Sequence, residues 1–598
     1  MIDVALISPP PYGAQPWLTM GVVLHATLLR NAGIDVEVLR LLNPPFAVPE
    51  PVQHASLVTF TFDPTMDERL ELMERADAAS PGFFDALVDA ALKLSPRIVG
   101  LSVFRNNVDV ALHLARRIKA RSPSTRVIIG GPEAIEAPRE LLLPFVDVVL
   151  GAEAENVFPL VVRALLAAEP VSFRNVFTHA GTGDTTARVP EFPQLDYARV
   201  LPLLVGDQQP TVPMLLNWGC PYSCSYCSNR VTYSRFTEGS VERVLAEMDA
   251  IVSQWAQLGG GGLSLQLSDA TTNALPSQLD ALLRGIIERR AKWPLQPKIR
   301  GQMLFDARLT EERVALLAEA GFGNTFFGVD GAGAALRKGL HRPGSLEQVE
   351  AAARLWLERG LSGLTFGFPV GIPGETDEDF EAALQFVERI LALGRSEQIE
   401  SITVLPYVFF RSAQDAAFTR LNTGAPRGVM WRASVPGGDP AVRARRFMTF
   451  FERIAGRVET VSPIPPYLLL PAMLPDEPQR VSAFLERFGR SFDQLTPPAR
   501  HGGAAVVEVD SPTHRALRGV SVDAWRFESF GQRAGVVIAI FAAGDSRVAV
   551  EVAPPDKSQR AFVHSAAGNV SYLQQWNGKA CVFDERVVRA CVAALEAK

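Results

Sequence analysis

Residues 217–229 read NWGCPYSCSYCSN, with Cys220, Cys224 and Cys227 spaced C-x3-C-x2-C. Residues 211–218 just before them read as a strand, so the thiols fall on a compact loop at a strand's C-terminal end. Three thiolates on such a loop can each take one iron of a [4Fe–4S] cluster, leaving the fourth iron without a protein ligand. An iron left open in this way can receive a substrate or cofactor. A structural zinc site needs four closed ligands, and the nearest histidines, His179 and His341, lie outside the loop. Simple burial of three thiols is the other alternative. Gly219, Pro221 and the intervening serines argue against it.

Working outward from this loop, strands are expected at 263–269, 298–305, 324–330, 363–369 and 400–406, with five helices between the six strands. Ser345-x-x-Gln348 and Thr376-x-x-Asp379 read as capping boxes that start two of those helices. Six βα units predict a partial (β/α)6 barrel over residues 210–424, with the working groups at the C-terminal strand ends.

Upstream, residues 1–170 alternate strand and helix. Strands are expected at 3–10, 35–42, 98–104, 126–131 and 146–151, and helices at 19–32, 83–94, 108–121 and 155–168. Apolar strands with helices between them predict a parallel sheet covered on both faces. Residues 44–81 are proline-rich with little periodicity and read as an insertion. Residues 171–209 read as a linker, apolar enough at 192–205 to pack on something. Residues 425–598 read as a separate α+β module with strands at 535–543 and 547–552 and a terminal helix at 585–597. The fold class is therefore α/β: a Rossmann-like domain, a partial barrel and a C-terminal module.

The 598 residues carry 59 Lys+Arg against 65 Asp+Glu, a net charge of −6. No broad cationic face is implied, so nucleic acid is not the expected partner. No apolar run is long enough to cross a bilayer. The opening MIDVALISPPPYG has Asp3 and no basic segment, unlike a signal peptide, and a cytoplasmic protein is expected. Five cysteines, of which Cys581 and Cys591 lie far from the cluster, do not make a disulfide framework.

The cysteine spacing, with Tyr226 before the last cysteine, resembles the radical S-adenosylmethionine (SAM) superfamily. Three further stretches fit that likeness. LSDATTN at 267–273 ends the second barrel strand, FGVDGAG at 327–333 resembles the family's G-I-E-S-G-S stretch, and FGFPVGIPGET at 366–376 resembles its G-x-P-G-E-T pattern. The resemblance implies SAM contacts at Tyr226, Ser268, Asp269, Asp330 and Gly371. Both serines of the second pattern are replaced here, by Gly331 and Gly333. The first domain resembles the cobalamin-binding domain that precedes the barrel in class B radical SAM methyltransferases, through ISPPPYG, GLSVFRNN, IIGGPEA and VLGAEAE. That likeness implies cobalamin contacts at Ser8, Pro9, Pro10, Ser102, Arg105, Gly130, Gly131, Pro132, Gly151 and Glu153. No D-x-H-x-x-G motif is present, and His25 and His113 fall within helices, so no histidine ligand to cobalt is expected. Arg105, at the end of the third strand, is a candidate to sit beneath the corrin, with a solvated loop arginine the equal alternative. A nicotinamide cofactor is disfavoured, because PPPYGAQ stands where G-x-G-x-x-G would.

The resemblance implies a [4Fe–4S] cluster, SAM and cobalamin, an external electron donor, and methylation of carbon in a biosynthetic intermediate, amino acid or peptide. One SAM would methylate the corrinoid; a second would be cleaved to methionine and a 5′-deoxyadenosyl radical. A non-methylating rearrangement or cyclisation on the same domains is the alternative. A non-catalytic corrinoid- or metal-binding module is the alternative of another class. Tyr407, Phe409 and Arg411 follow the sixth barrel strand and are candidates to line the substrate site, with core packing the competing role for the aromatics.

Overall fold

The computed structural model describes the chain from Ile2 to Phe492, apart from residues 11–17, 42–47, 153, 187–192, 206, 208–209, 228–234, 410–427, 455 and 459; beyond residue 492 it describes only strands between 521 and 564. Strands β1 (Val4–Ile7), β2 (Val36–Leu39), β3 (Ile98–Ser102), β4 (Arg126–Gly130) and β5 (Val148–Leu150) form a parallel sheet in the order β2-β1-β3-β4-β5. Two short antiparallel strands, β6 (Val176–Thr178) and β7 (Gly181–Thr182), extend it.

Alternation along the strands fills two cores. Val4, Leu6, Ile98, Ile128 and Val148 face helices Met20–Asn31 and Ala154–Leu166. Ala5, Ile7, Val99, Leu101, Val127 and Ile129 face helices Glu50–Phe62, Phe83–Leu92 and Val108–Arg121. Each fully buried Val, Leu or Ile contributes about 1.5–3 kcal/mol, which makes this sheet self-sufficient. The order 2-1-3 places a topological switch between β1 and β3, where open α/β sheets bind ligands at their strand C-termini.

The expectation of an aperiodic insertion at 44–81 is corrected. Helices Glu50–Phe62 and Met66–Ala78 occupy most of it. Pro49 and Pro51 sit at the first helix's start, where no N–H partner is lost, and Thr65 and Glu68 form a capping box for the second.

The second sheet is wholly parallel. It runs β8 (Thr211–Met214), β9 (Ser264–Leu267), β10 (Lys298–Gln302), β11 (Phe322–Gly328), β12 (Leu364–Val370), β13 (Ile399–Pro406) and β14 (Thr460–Val461) in sequential order. β8 and β14 do not pair, so the barrel is open. Both expected capping boxes, at Ser345 and Thr376, are present. β14 pairs with β13 at Ile402↔Thr460, so the barrel sheet continues past residue 424. Helix Pro440–Ile454, whose Phe447, Phe450 and Phe451 are buried, also belongs to the barrel's core.

The linker does pack. Leu195 and Tyr197 are buried. The Asp196 N–H donates to Thr27 Oγ1 at 3.0 Å, and the Leu195 N–H donates to Glu247 Oε1 at 2.8 Å. The Tyr197 hydroxyl donates to the Pro213 carbonyl at 2.8 Å. This segment staples the first domain's leading helix to helix Val241–Gln257 of the barrel. Past residue 520 the backbone forms a five-stranded antiparallel sheet that includes Val536–Ala543 and Ser546–Val552. The expected helix at 585–597 lies outside the described residues. Among the described residues no helix is long and apolar enough to cross a membrane.

Candidate functional site

The cysteine loop leaves β8 through a clamp. The Asp269 carboxylate accepts the Leu216 N–H at 3.0 Å and the Asn217 N–H at 2.6 Å. Asn217 in turn donates to Gln278 Oε1 at 2.8 Å and accepts the Gly239 N–H at 3.1 Å. Trp218 and Thr237 exchange both backbone bonds at 2.9 Å, closing the loop's base. Its far side docks on the turn after helix Ala334–Gly339. There the Ser225 N–H donates to the Leu340 carbonyl at 3.0 Å, and the Cys224 thiol donates to the His341 carbonyl at 3.8 Å.

Cys220, Cys224 and Cys227 are not joined in disulfides. Among the described residues no three His, Cys, Asp or Glu side chains converge on one metal ion. In an iron–sulfur cluster each thiolate takes its own iron, so three thiols on one loop need not converge on a single ion. The Cys220 thiol is pushed up to about 11, first by burial and then by Cys224; Arg342 and Arg308 pull it back. Two guanidinium groups beside three thiols suit an anionic cluster, so the donor set fits.

Tyr226 donates its hydroxyl to Asp330 Oδ2 at 2.9 Å, and Arg342 pairs with the same oxygen at 3.2 Å. Asp330 sits in a left-handed conformation (φ 32) just after β11. Asp269 is buried in the clamp and turned away from the barrel lumen, whereas its neighbour Ser268 faces the lumen. Gly371 has φ +73, and its N–H donates to Glu375 Oε2 at 2.6 Å. A Cβ there would lie 2.1 Å from Arg443 Cγ, so the glycine is required by packing. Glu375 also accepts from Arg446 at 2.7 Å; burial, the largest cause, pushes its carboxyl up to about 7.

Tyr407 and Phe409 are buried with Trp431, Leu336, Leu340 and Ile372 in an aromatic cluster against which Tyr226 packs. Trp431 donates its indole N–H to the Tyr407 carbonyl at 2.8 Å. These two aromatics back the cysteine loop. Arg411 lies outside the described residues.

In the first domain, Ser102, Gly131, Pro132 and Gly151 line a cavity of about 840 Å³ at the C-terminal ends of β3, β4 and β5. Gly131 has φ +121, and a Cβ there would meet the Val103 carbonyl at 2.5 Å. Gly21, in the first turn of helix Met20–Asn31, also lines the cavity. A Cβ there would meet nothing within 4 Å, so bare backbone faces open space. This wall fits a large ligand. Ser8 is half-buried and Pro10 buried. The Pro9 carbonyl accepts from Asn107 Nδ2 at 3.0 Å, and the Gly130 carbonyl accepts the Val103 N–H at 2.8 Å. None of these four is among the residues lining the cavity. Glu153 lies outside the described residues.

Arg105 is not among the cavity-lining residues either. It enters a buried ionic cluster, 3.1 Å from Asp63 and 3.6 Å from Glu133. Arg69 joins the same carboxylates and Asp109, at 2.5, 4.0 and 3.8 Å. The cluster ties the two helices of the 44–81 segment to the β3 and β4 loops.

The opposite wall of the cavity is the barrel lumen. Gln266 of β9, Arg300 and Gln302 of β10, and Asn324 and Phe326 of β11 line it. Sequence reading named none of these five. The signal was strand alternation: Leu265 and Ile299 are fully buried and do not line the cavity, so their neighbours Gln266 and Arg300 face inward.

Residues 216–387 match the family described as the radical SAM superfamily, and residues 13–162 match the B12 binding domain, together more than half of the chain. The chain is 27% identical over 290 residues to a tRNA-2-methylthio-N(6)-dimethylallyladenosine synthase of Geobacter sulfurreducens, covering 46% of this chain and 60% of that protein. It is 26% identical over 174 residues to the cobalamin-dependent radical SAM methyltransferase TokK of Streptomyces tokunonensis, covering 26% and 25%. The match thus spans less than two thirds of each relative. Among solved structures, the cobalamin-dependent SAM radical enzyme OxsB with aqua-cobalamin and SAM bound aligns at 16% identity and TM-score 0.48, covering 71% of this chain and 57% of that one.

Proposed function

Because this chain joins a B12 binding domain to a radical SAM domain, we propose that it is a cobalamin- and SAM-dependent methyltransferase acting on carbon of a biosynthetic intermediate, amino acid or peptide. The observation that carries the reading is the shared cavity. Ser102, Gly131, Pro132 and Gly151 wall it on one side, and Gln266, Ser268, Arg300 and Gln302 on the other. The first wall would hold a corrinoid and the second a substrate.

When bound, the cluster and SAM supply a hydrogen-abstracting radical and cobalamin supplies the methyl group. The chain's residues hold and orient these groups. Cys220, Cys224 and Cys227 would hold the cluster; Asp269 and Asn217 fix the root of their loop. Tyr226, Asp330 and Arg342 fix its far side beside the aromatic cluster, which excludes water. The reaction would draw on an external electron donor and run in the reducing cytoplasm, where free thiols persist.

The Geobacter relative favours a second reading, modification of a nucleic-acid base. The B12 binding domain and the net charge of −6 favour the first. Anaerobic purification from cobalamin-supplied cells tests it. About four iron and one corrinoid per chain are expected, with label passing from methyl-labelled SAM to the corrinoid. Iron without corrinoid after reconstitution sinks the cobalamin half.

A further inference from the structure

Arg300 stands on β10 in register with Gln266 of β9, on the lumen face opposite the buried Ile299. Its Nε is shielded from solvent without a hydrogen-bond partner. No described residue pairs with its guanidinium. Among the described residues it is the one Arg or Lys lining the cavity. The other ionisable lining residues among those described are His25, Glu155 and Asp207. Asp207 is already held by Arg40 at 2.8 Å. Glu155 belongs to the wall formed by the N-terminal domain. His25, on that same wall, is kept neutral by burial. Around Arg300 the described residues of the lumen offer amides at Gln266, Gln302 and Asn324 and a ring at Phe326, and no carboxylate. A cation that has lost part of its hydration and gained no anion is unfavourable until a ligand supplies one. A planar guanidinium flanked by amides matches the two oxygens of a carboxylate or phosphate.

We propose that Arg300 is the anion anchor of the barrel lumen, receiving a carboxylate or phosphate carried by the substrate. The inference rests on the methyltransferase reading only in taking the lumen as the substrate's place. It narrows the substrate to acids and phosphorylated compounds.

The test uses cluster- and cobalamin-loaded protein with SAM present, and inorganic phosphate and pyrophosphate as probes. Wild type is expected to bind both saturably, and Arg300→Gln to bind them about tenfold more weakly or worse. Arg300→Lys should recover part of the loss. SAM and hydroxocobalamin affinities of Arg300→Gln should stay within about twofold of wild type. In the wild type, phosphate should protect the Arg300 peptide from phenylglyoxal, a readout that needs no variant to fold. Absence of phosphate binding or protection in wild type, or equal binding by Arg300→Gln, overturns the proposal. A tenfold loss of SAM or cobalamin affinity in Arg300→Gln also overturns it, by assigning the cation to a cofactor (about tenfold being 1.4 kcal/mol). Failure of the methyltransferase reading shows separately, as missing corrinoid or absent label transfer.

Discussion

The Asp269 carboxylate accepts the backbone N–H of Asn217 at 2.6 Å, three residues ahead of Cys220. The same carboxylate takes the Leu216 N–H, so one buried side chain from β9 sets the direction in which the cysteine loop departs. Asp269→Ala leaves two buried donors without acceptors, at about 1–3 kcal/mol each. The expected outcome is a lower unfolding midpoint together with iron content well below that of wild type after identical reconstitution. Normal iron retention in a folded Asp269→Ala protein would refute the clamp.

Asp109 predicts a pH dependence. Burial, outweighing Arg69, pushes its carboxyl from 3.8 up to about 6; Glu133 adds to the rise, while Arg69, a Thr59 hydrogen bond and Arg105 oppose it. A raised folded pKa means the native state holds the proton that the unfolded chain releases. The stability it brings is present below about 4 and is lost as pH rises through about 6. Asp109→Asn keeps the neutral form at every pH. Relative to wild type it should gain on the order of 1–3 kcal/mol in urea unfolding between pH 4 and pH 7. A difference that is flat with pH would contradict this.

Arg105 separates two roles. If it lay beneath the corrin, its removal would alter the absorption spectrum of bound cobalamin. Its placement against Asp63 and Glu133 predicts instead that Arg105→Met unpairs buried carboxylates and destabilises the first domain by about 3–5 kcal/mol. The spectrum of the corrinoid still bound should match wild type.

Gly371→Ala should be costly. The position combines φ +73 with a Cβ site 2.1 Å from Arg443 Cγ, and Arg443 is wedged over the Trp431 ring at 4.0 Å. Strain and overpacking together predict a loss of about 2–5 kcal/mol in chemical denaturation. A near-normal midpoint would mean that Arg443 can move aside.

Strand periodicity made both parallel sheets legible, because buried β-strands announce themselves as short apolar runs between turn residues. The cysteine loop was legible from its spacing together with the strand before it. What escaped was parity at strand ends. Ser268 and Asp269 are adjacent, so one faces the lumen and the other the helices, and a motif names both alike. Leu265 carried the parity, and it puts Asp269 on the buried side. The helices at 50–78 escaped because prolines suggest breaks, although Thr65-x-x-Glu68 was a start signal. Arg105 escaped because its partners Asp63 and Glu133 are distant in sequence, and charge pairing across a fold leaves no local pattern.

The linker staple at Leu195–Tyr197 has a consequence for assembly. Its bonds to Thr27, Glu247 and Pro213 join the two sheets through groups that involve no thiol and no cavity residue except Pro213. The joint between the two halves of the molecule therefore rests on backbone and side-chain groups that neither a metal nor a corrinoid would have to share.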